Sequence, residues 1–331
     1  MPQHIVYISP GHMDPDYAIE RAGLGSDVDL REMSGPPKGS MDGTDTKDAD
    51  AILTWRTRID ADAIAKLEHC KFIVRMGVGY DIVDVDAAKQ HGIPVANVPD
   101  YCTEEVADHA MALLLSLTRG IVSYNSAVAA GNDGWNFMAA GNLYRMSGRT
   151  LGIIGLGRIG TAVAMRAKAF GLKVAFHDPY ARDGMERALG LTRLDLDELL
   201  GTADYLTFHT LLTNETRGMV DSAFLAKVKH GAFLVNTSRG GVVDVDALEI
   251  ALREGRLGGV ALDVMPTEPP NPDLPLIKAW RAGEEWIKGR LIVTPHSAFF
   301  SEEGEQDMRV KATQAVREVL DGSPPRNVVN P

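Results

Sequence analysis

The stretch LGIIGLGRIG, residues 151–160, joins an apolar run typical of a buried strand to the start of a helical pattern. Its glycines, Gly155, Gly157 and Gly160, form a GxGxxG motif. In such a motif the first glycine allows a tight turn, the second lets a pyrophosphate approach the backbone, and the third lets the helix pack closely on the strand. Glycine-rich turns between a strand and a helix also occur for purely structural reasons, so a second signal is needed.

The next strand supplies this second signal. The run KVAFHD ends in Asp178, eighteen residues after Gly160, where dinucleotide-binding folds place a carboxylate on the ribose hydroxyls of the adenosine. A carboxylate there repels the additional phosphate of NADP, although Arg182 lies close enough in sequence to offset part of that repulsion. The sequence therefore predicts NAD as the cofactor. A solvated strand end is the alternative interpretation of Asp178.

Short apolar strands alternate with helical patterns along the rest of the chain. The predicted strands are IVYI, AILTW, FIVRM and IPVANV before residue 100, and TLGIIG, LKVAFHD, DYLTFHT, GAFLVNT, GVALDV and LIVTPH after residue 149. This alternation predicts right-handed crossovers and parallel sheets covered on both faces. The length of 331 residues favours two domains. A helix with Thr103 as its N-cap and apolar residues over 106–117 should be buried.

Charge and cysteine content exclude several classes of protein. The formal net charge is −11, which argues against a nucleic-acid partner and against an anionic membrane surface. Cys70 and Cys102 are isolated, so neither a disulfide framework nor a metal cluster is expected. The first residues lack the pattern of a signal peptide, and no apolar run reaches the roughly 20 residues of a membrane span. We expect a soluble, cytoplasmic protein without a metal.

Charged side chains follow the later strands. Arg239 comes after GAFLVNT, Asp263 and Glu268 lie at and beyond the end of GVALDV, and His296 ends LIVTPH. The carboxyl ends of parallel strands meet at one edge, where open α/β sheets bind ligands. Arginine can hold a carboxylate through two hydrogen bonds, and a histidine beside a carboxylate can transfer a proton. Each signal is weak alone, because a single histidine at a strand end is more often structural.

Taken in order along the chain, these motifs resemble the D-isomer-specific 2-hydroxyacid dehydrogenases, and the resemblance covers nearly the whole chain. The matching strings are RMGVGYDIVDVDAA, NVPDYCTEEVADHA, GIIGLGRIG, GAFLVNTSRGGVVD, ALDVMPTEPP and TPHSAFFSEE. Within the family the chain looks most similar to the C-terminal binding protein branch, through HDPYARDGMERALGL, GAFLVNTSRGG and PHSAFFSEE.

The resemblance implies a catalytic set of Arg239, Glu268 and His296. Arg239 should bind the carboxylate and the carbonyl oxygen of the substrate, and His296 should protonate the 2-oxo group as the hydride arrives. Glu268 should pair with His296, which favours the imidazolium and fixes its tautomer. Further substrate contacts are expected from Arg75, from the backbone N–H groups of Gly77, Val78 and Gly79, and from Phe299.

The resemblance also implies the contacts of the NAD cofactor, with Asp263 near the nicotinamide amide. The expected cofactor-binding residues are Val78, Val106, Gly155, Leu156, Gly157, Arg158, Ile159, Gly160, Asp178, Thr210, Leu211, Thr216, Thr237, Ser238, Arg239, Asp263 and His296.

The family organisation implies two doubly wound parallel-sheet domains. Residues 1–101 and 298–331 should form a flavodoxin-like substrate domain, and residues 102–297 an inserted Rossmann domain that binds NAD. The active cleft is expected between them. A homodimer should form through the helix over 106–117 and the segment around Trp135, with a buried helix that makes no subunit contact as the alternative.

Two functions compatible with these motifs belong to different classes. The first is an NAD-dependent dehydrogenase that interconverts a small 2-oxo acid and its D-2-hydroxy acid. The second is an NADH-sensing binding protein, because the C-terminal binding protein branch includes corepressors that keep the same catalytic set. Among enzymes, a phosphoglycerate dehydrogenase is the nearest alternative.

Overall fold

The computed structural model describes residues 3–11 and 14–331. The chain divides into two compact units, residues 1–101 with 301–331 (unit one) and residues 102–300 (unit two). The boundary at which the chain returns from unit two to unit one falls after residue 300, whereas the family resemblance places it after residue 297.

Strands and helices are numbered in chain order. The strands are β1 (His4–Ile8), β2 (Val28–Glu32), β3 (Ala51–Thr54), β4 (Phe72–Arg75), β5 (Val95–Asn97), β6 (Thr150–Ile154), β7 (Lys173–His177), β8 (Thr192–Arg193), β9 (Tyr205–Phe208), β10 (Ala232–Asn236), β11 (Leu257–Leu262) and β12 (Leu291–Val293). The helices are α1 (Ala18–Leu24), α2 (Ala61–Ile64), α3 (Val85–Gln90), α4 (Thr103–Thr118), α5 (Ile121–Ala130), α6 (Arg158–Ala169), α7 (Met185–Leu189), α8 (Leu196–Thr202), α9 (Ser222–Lys227), α10 (Val245–Arg253), α11 (Pro275–Ala282) and α12 (Glu302–Leu320). Short 3-10 turns cover Asn132–Gly134 and Gly240–Val242.

Unit one is built on a parallel sheet with the strand order β2-β1-β3-β4-β5, which is the flavodoxin-like order. Its central strands are buried on both faces, as parallel strands between helices must be. The C-terminal helix α12 packs on α1, and its buried Arg309 donates to both oxygens of Glu20 at 2.7 Å. The last helix of the chain therefore belongs to the N-terminal sheet.

The C-terminal residues cover the edge strand β5. Val329 donates its N–H to the carbonyl of Val95 at 2.8 Å, and the Asn330 side chain accepts from the Val95 N–H at 2.7 Å. The amide of Asn330 also donates to the carbonyl of Ile93 at 3.0 Å. Covering an edge in this way satisfies backbone groups that would otherwise be open to pairing with another chain.

Unit two is built on a parallel sheet with the strand order β12-β11-β10-β9-β6-β7-β8. Adjacent residues of β10 belong to different hydrophobic clusters. Leu234 packs in one of them, and Val235 packs in the other, which includes residues of α4 and α6. The strand order reverses between β6 and β9, and this switch point is where open α/β sheets bind dinucleotides. The predicted fold, two parallel α/β sheets with one of Rossmann type, is confirmed.

Helix α4 is buried as predicted, with Val106, Ala110 and Leu114 among its enclosed residues. The N-cap prediction is wrong. The carbonyl of Cys102 accepts the N–H of Val106, so Cys102 is the N-cap and Thr103 is the first helical residue. Among the residues that the structure describes, no helix is both long enough and apolar enough to cross a membrane.

Candidate active site

The glycine loop that follows β6 has the geometry of a phosphate-binding turn. Gly155 has a φ of +92°, which favours glycine, and a Cβ on Gly160 would overlap the carbonyl oxygen of Gly155. A Cβ on Gly157, in contrast, would meet no atom of the described chain within 4 Å. Gly155 and Gly160 are thus required by the fold, whereas Gly157 leaves the backbone at the start of α6 open to a ligand.

Asp178 fastens this loop to the end of β7. Its Oδ2 accepts the N–H of Leu156 at 2.8 Å, and its Oδ1 accepts the N–H of Tyr180 at 2.8 Å. The carboxylate therefore lies beside the glycine loop at the switch point, where a ribose hydroxyl is bound in folds of this type.

Two buried hydroxyls line the same edge of the sheet. The Oγ1 atoms of Thr210, after β9, and of Thr237, after β10, are buried and have no hydrogen-bond partner within the described chain. A buried polar group of this kind is normally satisfied by a ligand or by water. Together with the open backbone at Gly157, these hydroxyls fit a dinucleotide, and the N–H groups at the start of α6 would face its phosphates.

The remaining predicted cofactor residues lie on the same strand ends or on α4. Thr216 donates to the carbonyl of Leu211 and holds the loop after β9, and Val106 lies buried on α4. Arg158 and Ile159 begin α6. Their contacts with the cofactor stay predictions.

Asn236 organises the turn that carries Arg239. This fully buried amide donates to the carbonyl of Arg239 at 2.9 Å and accepts from both the N–H and the hydroxyl of Ser238, at 2.9 and 2.8 Å. The next residue, Gly240, lies so close to the backbone of Met265 that a Cβ would overlap it. The turn after β10 is therefore packed directly on the loop that follows β11.

That neighbouring loop carries Glu268, which contacts His296. Oε2 of Glu268 lies 2.8 Å from Nδ1 of His296, and Oε1 accepts the N–H of Met265 at 3.2 Å. The ring of Phe299 meets the imidazole edge-on, with 6.2 Å between ring centroids. The predicted pair of Glu268 and His296 is thus formed, and Nε2 is the imidazole nitrogen that Glu268 does not engage.

Asp263, at the end of β11, holds the segment that follows β12. It is 1% exposed, its Oδ1 accepts the hydroxyl of Thr294 at 2.6 Å, and its oxygens accept the N–H groups of Ser297 and Ala298, each at 2.9 Å. Sequence reasoning placed Asp263 along the cofactor and did not anticipate these contacts. It also missed Asn236 and Thr294, which precede Arg239 and His296 by three and two residues and are ordinary strand-end residues in the sequence.

The predicted substrate residues of unit one are held by local contacts. The guanidinium of Arg75 occupies the place that a Cβ on Gly77 would take, and its Nη1 donates to the carbonyl of Met76 at 2.9 Å. Gly77 has a φ of +139°, and the carbonyl of Val78 accepts from the Asn97 side chain at 2.6 Å. Roles for Arg75 and for residues 77–79 in binding substrate stay predictions.

Comparisons with known proteins agree with this architecture. The model of the D-isomer specific 2-hydroxyacid dehydrogenase NAD-binding domain matches residues 111–298. A glyoxylate reductase of Korarchaeum cryptofilum is 36% identical over 320 residues, covering 96% of this chain and 93% of that protein. A D-3-phosphoglycerate dehydrogenase of Archaeoglobus fulgidus is 36% identical over 280 residues, and the match covers 84% of this chain but only 51% of that protein.

A solved structure gives the same result for the fold. The D-lactate dehydrogenase of Aquifex aeolicus, complexed with NAD and lactic acid, superposes with a TM-score of 0.83 at 27% identity, covering 99% of each chain. The likeness to the C-terminal binding protein branch stays a prediction. By its sequence over almost its whole length, and by its glycine loop and strand-end residues, this chain belongs to the D-isomer specific 2-hydroxyacid dehydrogenases, a family of NAD-dependent oxidoreductases.

Proposed function

We propose that this protein interconverts a small 2-oxo acid and the corresponding D-2-hydroxy acid, with His296 as the acid–base group. The observation that carries this proposal is the contact of His296 with Glu268, 2.8 Å between Nδ1 and Oε2, at the sheet edge that also bears Arg239 and the glycine loop. The names of the relatives, a glyoxylate reductase and a D-lactate dehydrogenase, favour a substrate with a small side chain.

In reduction, the bound cofactor supplies a hydride to the carbonyl carbon of the substrate. Arg239 holds the substrate carboxylate and polarises the carbonyl, because its planar guanidinium can form two parallel hydrogen bonds. His296 donates the proton from Nε2 to the carbonyl oxygen, which completes the hydroxyl group, and Glu268 stabilises the imidazolium before the transfer. In the oxidative direction the neutral imidazole accepts the same proton.

The cofactor preference that we propose is NAD over NADP, and Asp178 supports it. Its carboxylate lies at the end of β7, fixed by the N–H groups of Leu156 and Tyr180. A negative charge there favours free ribose hydroxyls and opposes a 2′-phosphate.

We also propose a homodimer that forms through unit two. Large apolar side chains between residues 121 and 144 are open to solvent in the single chain, with Trp135 and Phe137 each 82% exposed. Exposed apolar side chains concentrated in one segment mark an interaction surface. Light scattering of the purified protein should give twice the mass of one chain, and the variant Trp135→Ser, Phe137→Ser should give the mass of one chain.

The function is tested with purified protein, NADH and a panel of small 2-oxo acids such as glyoxylate and pyruvate. Steady oxidation of NADH with at least one acid is expected, and His296→Ala should lower kcat by about 10²–10⁴-fold, the typical contribution of a general acid. Binding of NADH, followed by its fluorescence, should stay nearly unchanged in this variant. His230→Ala, at an exposed position of the same unit, is the matched control.

Two results would contradict the proposal. Unchanged turnover in His296→Ala would remove His296 as the acid. Tight NADH binding without turnover of any acid in the panel would favour the NADH-sensing alternative instead.

A further inference from the structure

Two polar side chains of unit two that have been given no role so far, His109 and Thr294, form a hydrogen-bonded chain with Asp263. Nε2 of His109, on α4, lies 3.1 Å from Oγ1 of Thr294, and the Thr294 hydroxyl lies 2.6 Å from Oδ1 of Asp263. His109 also lies 3.7 Å from the same carboxylate oxygen. These hydrogen bonds thus join the buried helix α4 to the ends of β11 and β12.

The direction of each hydrogen bond follows from the donors available. A threonine hydroxyl carries a single hydrogen, and an ionised carboxylate can only accept. Thr294 therefore donates to Asp263 at 2.6 Å and must accept from His109, so Nε2 of His109 carries a hydrogen. The order of donation is His109 to Thr294 to Asp263.

Asp263 in turn fixes the turn that bears His296. Its side chain accepts the N–H groups of Ser297 and Ala298, and its backbone carbonyl accepts the N–H of His296 at 2.7 Å. His296 has a φ of +55°, in the left-handed region that residues other than glycine adopt only when their surroundings impose it. The carboxylate of Asp263 is thus the anchor of an otherwise unfavourable backbone conformation.

The same anchor extends to the turn of Arg239. The N–H of Asp263 donates to the carbonyl of Asn236 at 3.0 Å, and Asn236 is the residue that holds the Arg239 turn. Rotation of the Asp263 carboxylate would therefore disturb the imidazole more directly than the guanidinium, because its side-chain bonds go to residues on both sides of His296.

We propose that Thr294 is a positioning residue for His296, and that it acts by locking the Asp263 carboxylate between the backbone of residues 297–298 and His109. This proposal rests on the proposed function, in which His296 transfers the proton. Thr294 itself touches no reacting atom. Its loss is expected to lower the rate of the chemical step far more than it weakens the binding of the cofactor, which Asp263 is expected to contact at one end only.

The test compares Thr294→Val, which keeps the shape of the side chain and removes the hydroxyl, with Thr294→Ser, which keeps the hydroxyl. With the 2-oxo acid of the panel that is reduced fastest, Thr294→Val should lower kcat by about 10–100-fold. The reason is that moving a catalytic group, here the imidazole of His296, by about 1 Å can lower the rate by as much as about 100-fold. Thr294→Ser should stay within about threefold of the parent protein. The Kd for NADH and the melting temperature show whether each variant still folds and binds the cofactor.

His109→Leu provides a second route to the same conclusion, because it removes the donor to Thr294 from a different element. Its effect on kcat should not add to that of Thr294→Val, since both changes release the same carboxylate. Equal kcat in Thr294→Val and in the parent protein would overturn the proposal, and so would a rise in the Kd for NADH with kcat unchanged. Either of these results would leave the proposed function standing, because that function is tested separately, by turnover of the acid panel and by His296→Ala.

Discussion

Glu268 and His296 form a pair in which Oε2 lies 2.8 Å from Nδ1, while the other carboxylate oxygen accepts the N–H of Met265. The backbone bond fixes the carboxylate, and the carboxylate fixes the rotation of the imidazole. Because Met265 also lies against Gly240, the same loop contacts the turn that carries Arg239. One short segment after β11 therefore contacts both His296 and the turn of Arg239, the two residues to which we assign the catalysis.

The two hydrogen bonds of Glu268 should be needed to orient the imidazole of His296. Its two carboxylate oxygens serve different partners, Nδ1 of His296 and the N–H of Met265. Glu268→Gln keeps the size of the side chain but leaves a single acceptor oxygen for these two groups. We expect kcat for reduction to fall about tenfold or more, because a misoriented imidazole transfers its proton less efficiently, while the Kd for NADH stays unchanged. Glu254→Gln, a change at an exposed position, is the control, and an unchanged kcat in Glu268→Gln would show that the pair does not orient the imidazole.

The glycine loop offers a clean separation of binding from folding. In Gly157→Ala the new methyl group meets open space in the described chain, so the melting temperature should change by no more than a degree or two. The Kd for NADH, in contrast, should rise about tenfold or more, because the methyl group blocks the approach of the pyrophosphate. In Gly160→Ala the methyl group overlaps the carbonyl of Gly155, so the protein itself should be destabilised by about 1–3 kcal/mol. Equal effects of the two changes on stability would contradict this assignment.

The strands that could be recognised from the sequence are mostly those with apolar residues at nearly every position, the pattern of a strand buried on both faces. AILT and FIVR, now β3 and β4, and the runs that became β6, β9 and β10 are nearly continuous apolar segments. The strand β2 was missed because VDLRE is mostly polar, which its place at the edge of the sheet permits. The strand β8 has two residues, too few for any periodicity.

The contact between Glu268 and His296 was predictable because a motif and the strand-end rule point to the same edge of the sheet, and the structure brings the two side chains together there. Their supports were not predictable. Thr294 and His109 act through hydrogen bonds that join residues 31 and 185 positions apart, and such contacts leave no local pattern. Asn236 bonds to residues only two and three positions away, but an asparagine at a strand end is too ordinary to stand out in the sequence. A short-range signal suggests the candidate reacting groups, whereas the tertiary fold decides which residues hold them in place.

The cover of the edge strand β5 should contribute measurably to stability. Asn330 accepts from the N–H of Val95 and donates to the carbonyls of Val85 and Ile93, at 2.7, 3.2 and 3.0 Å. Asn330→Ala leaves these backbone groups without that partner, and we expect a loss of about 1–3 kcal/mol in the free energy of unfolding. Urea unfolding measures it, with Asn214→Ala at an exposed loop position as control. A change of less than 0.5 kcal/mol, which is roughly the effect of an ordinary surface substitution, would show that the cover is not stabilising.

His209, at the end of β9, should make the stability of unit two depend on pH. Its Nδ1 is buried without a hydrogen-bond partner in the described chain, and burial lowers the pKa of the imidazole from 6.5 to about 3. Between these two values the unfolded chain binds a proton that the folded chain does not, so stability falls as the pH falls below 6.5. The loss approaches about 1.4 kcal/mol per pH unit, or up to about 2 kcal/mol between pH 6.5 and 5, above the range where most carboxylates titrate. Urea unfolding at pH 7, 6 and 5 should show a shallower dependence in His209→Gln than in the parent protein, and no change in His230→Gln, whose imidazole is exposed. If His209→Gln and the parent protein lose stability equally over this range, the buried imidazole is not the group responsible.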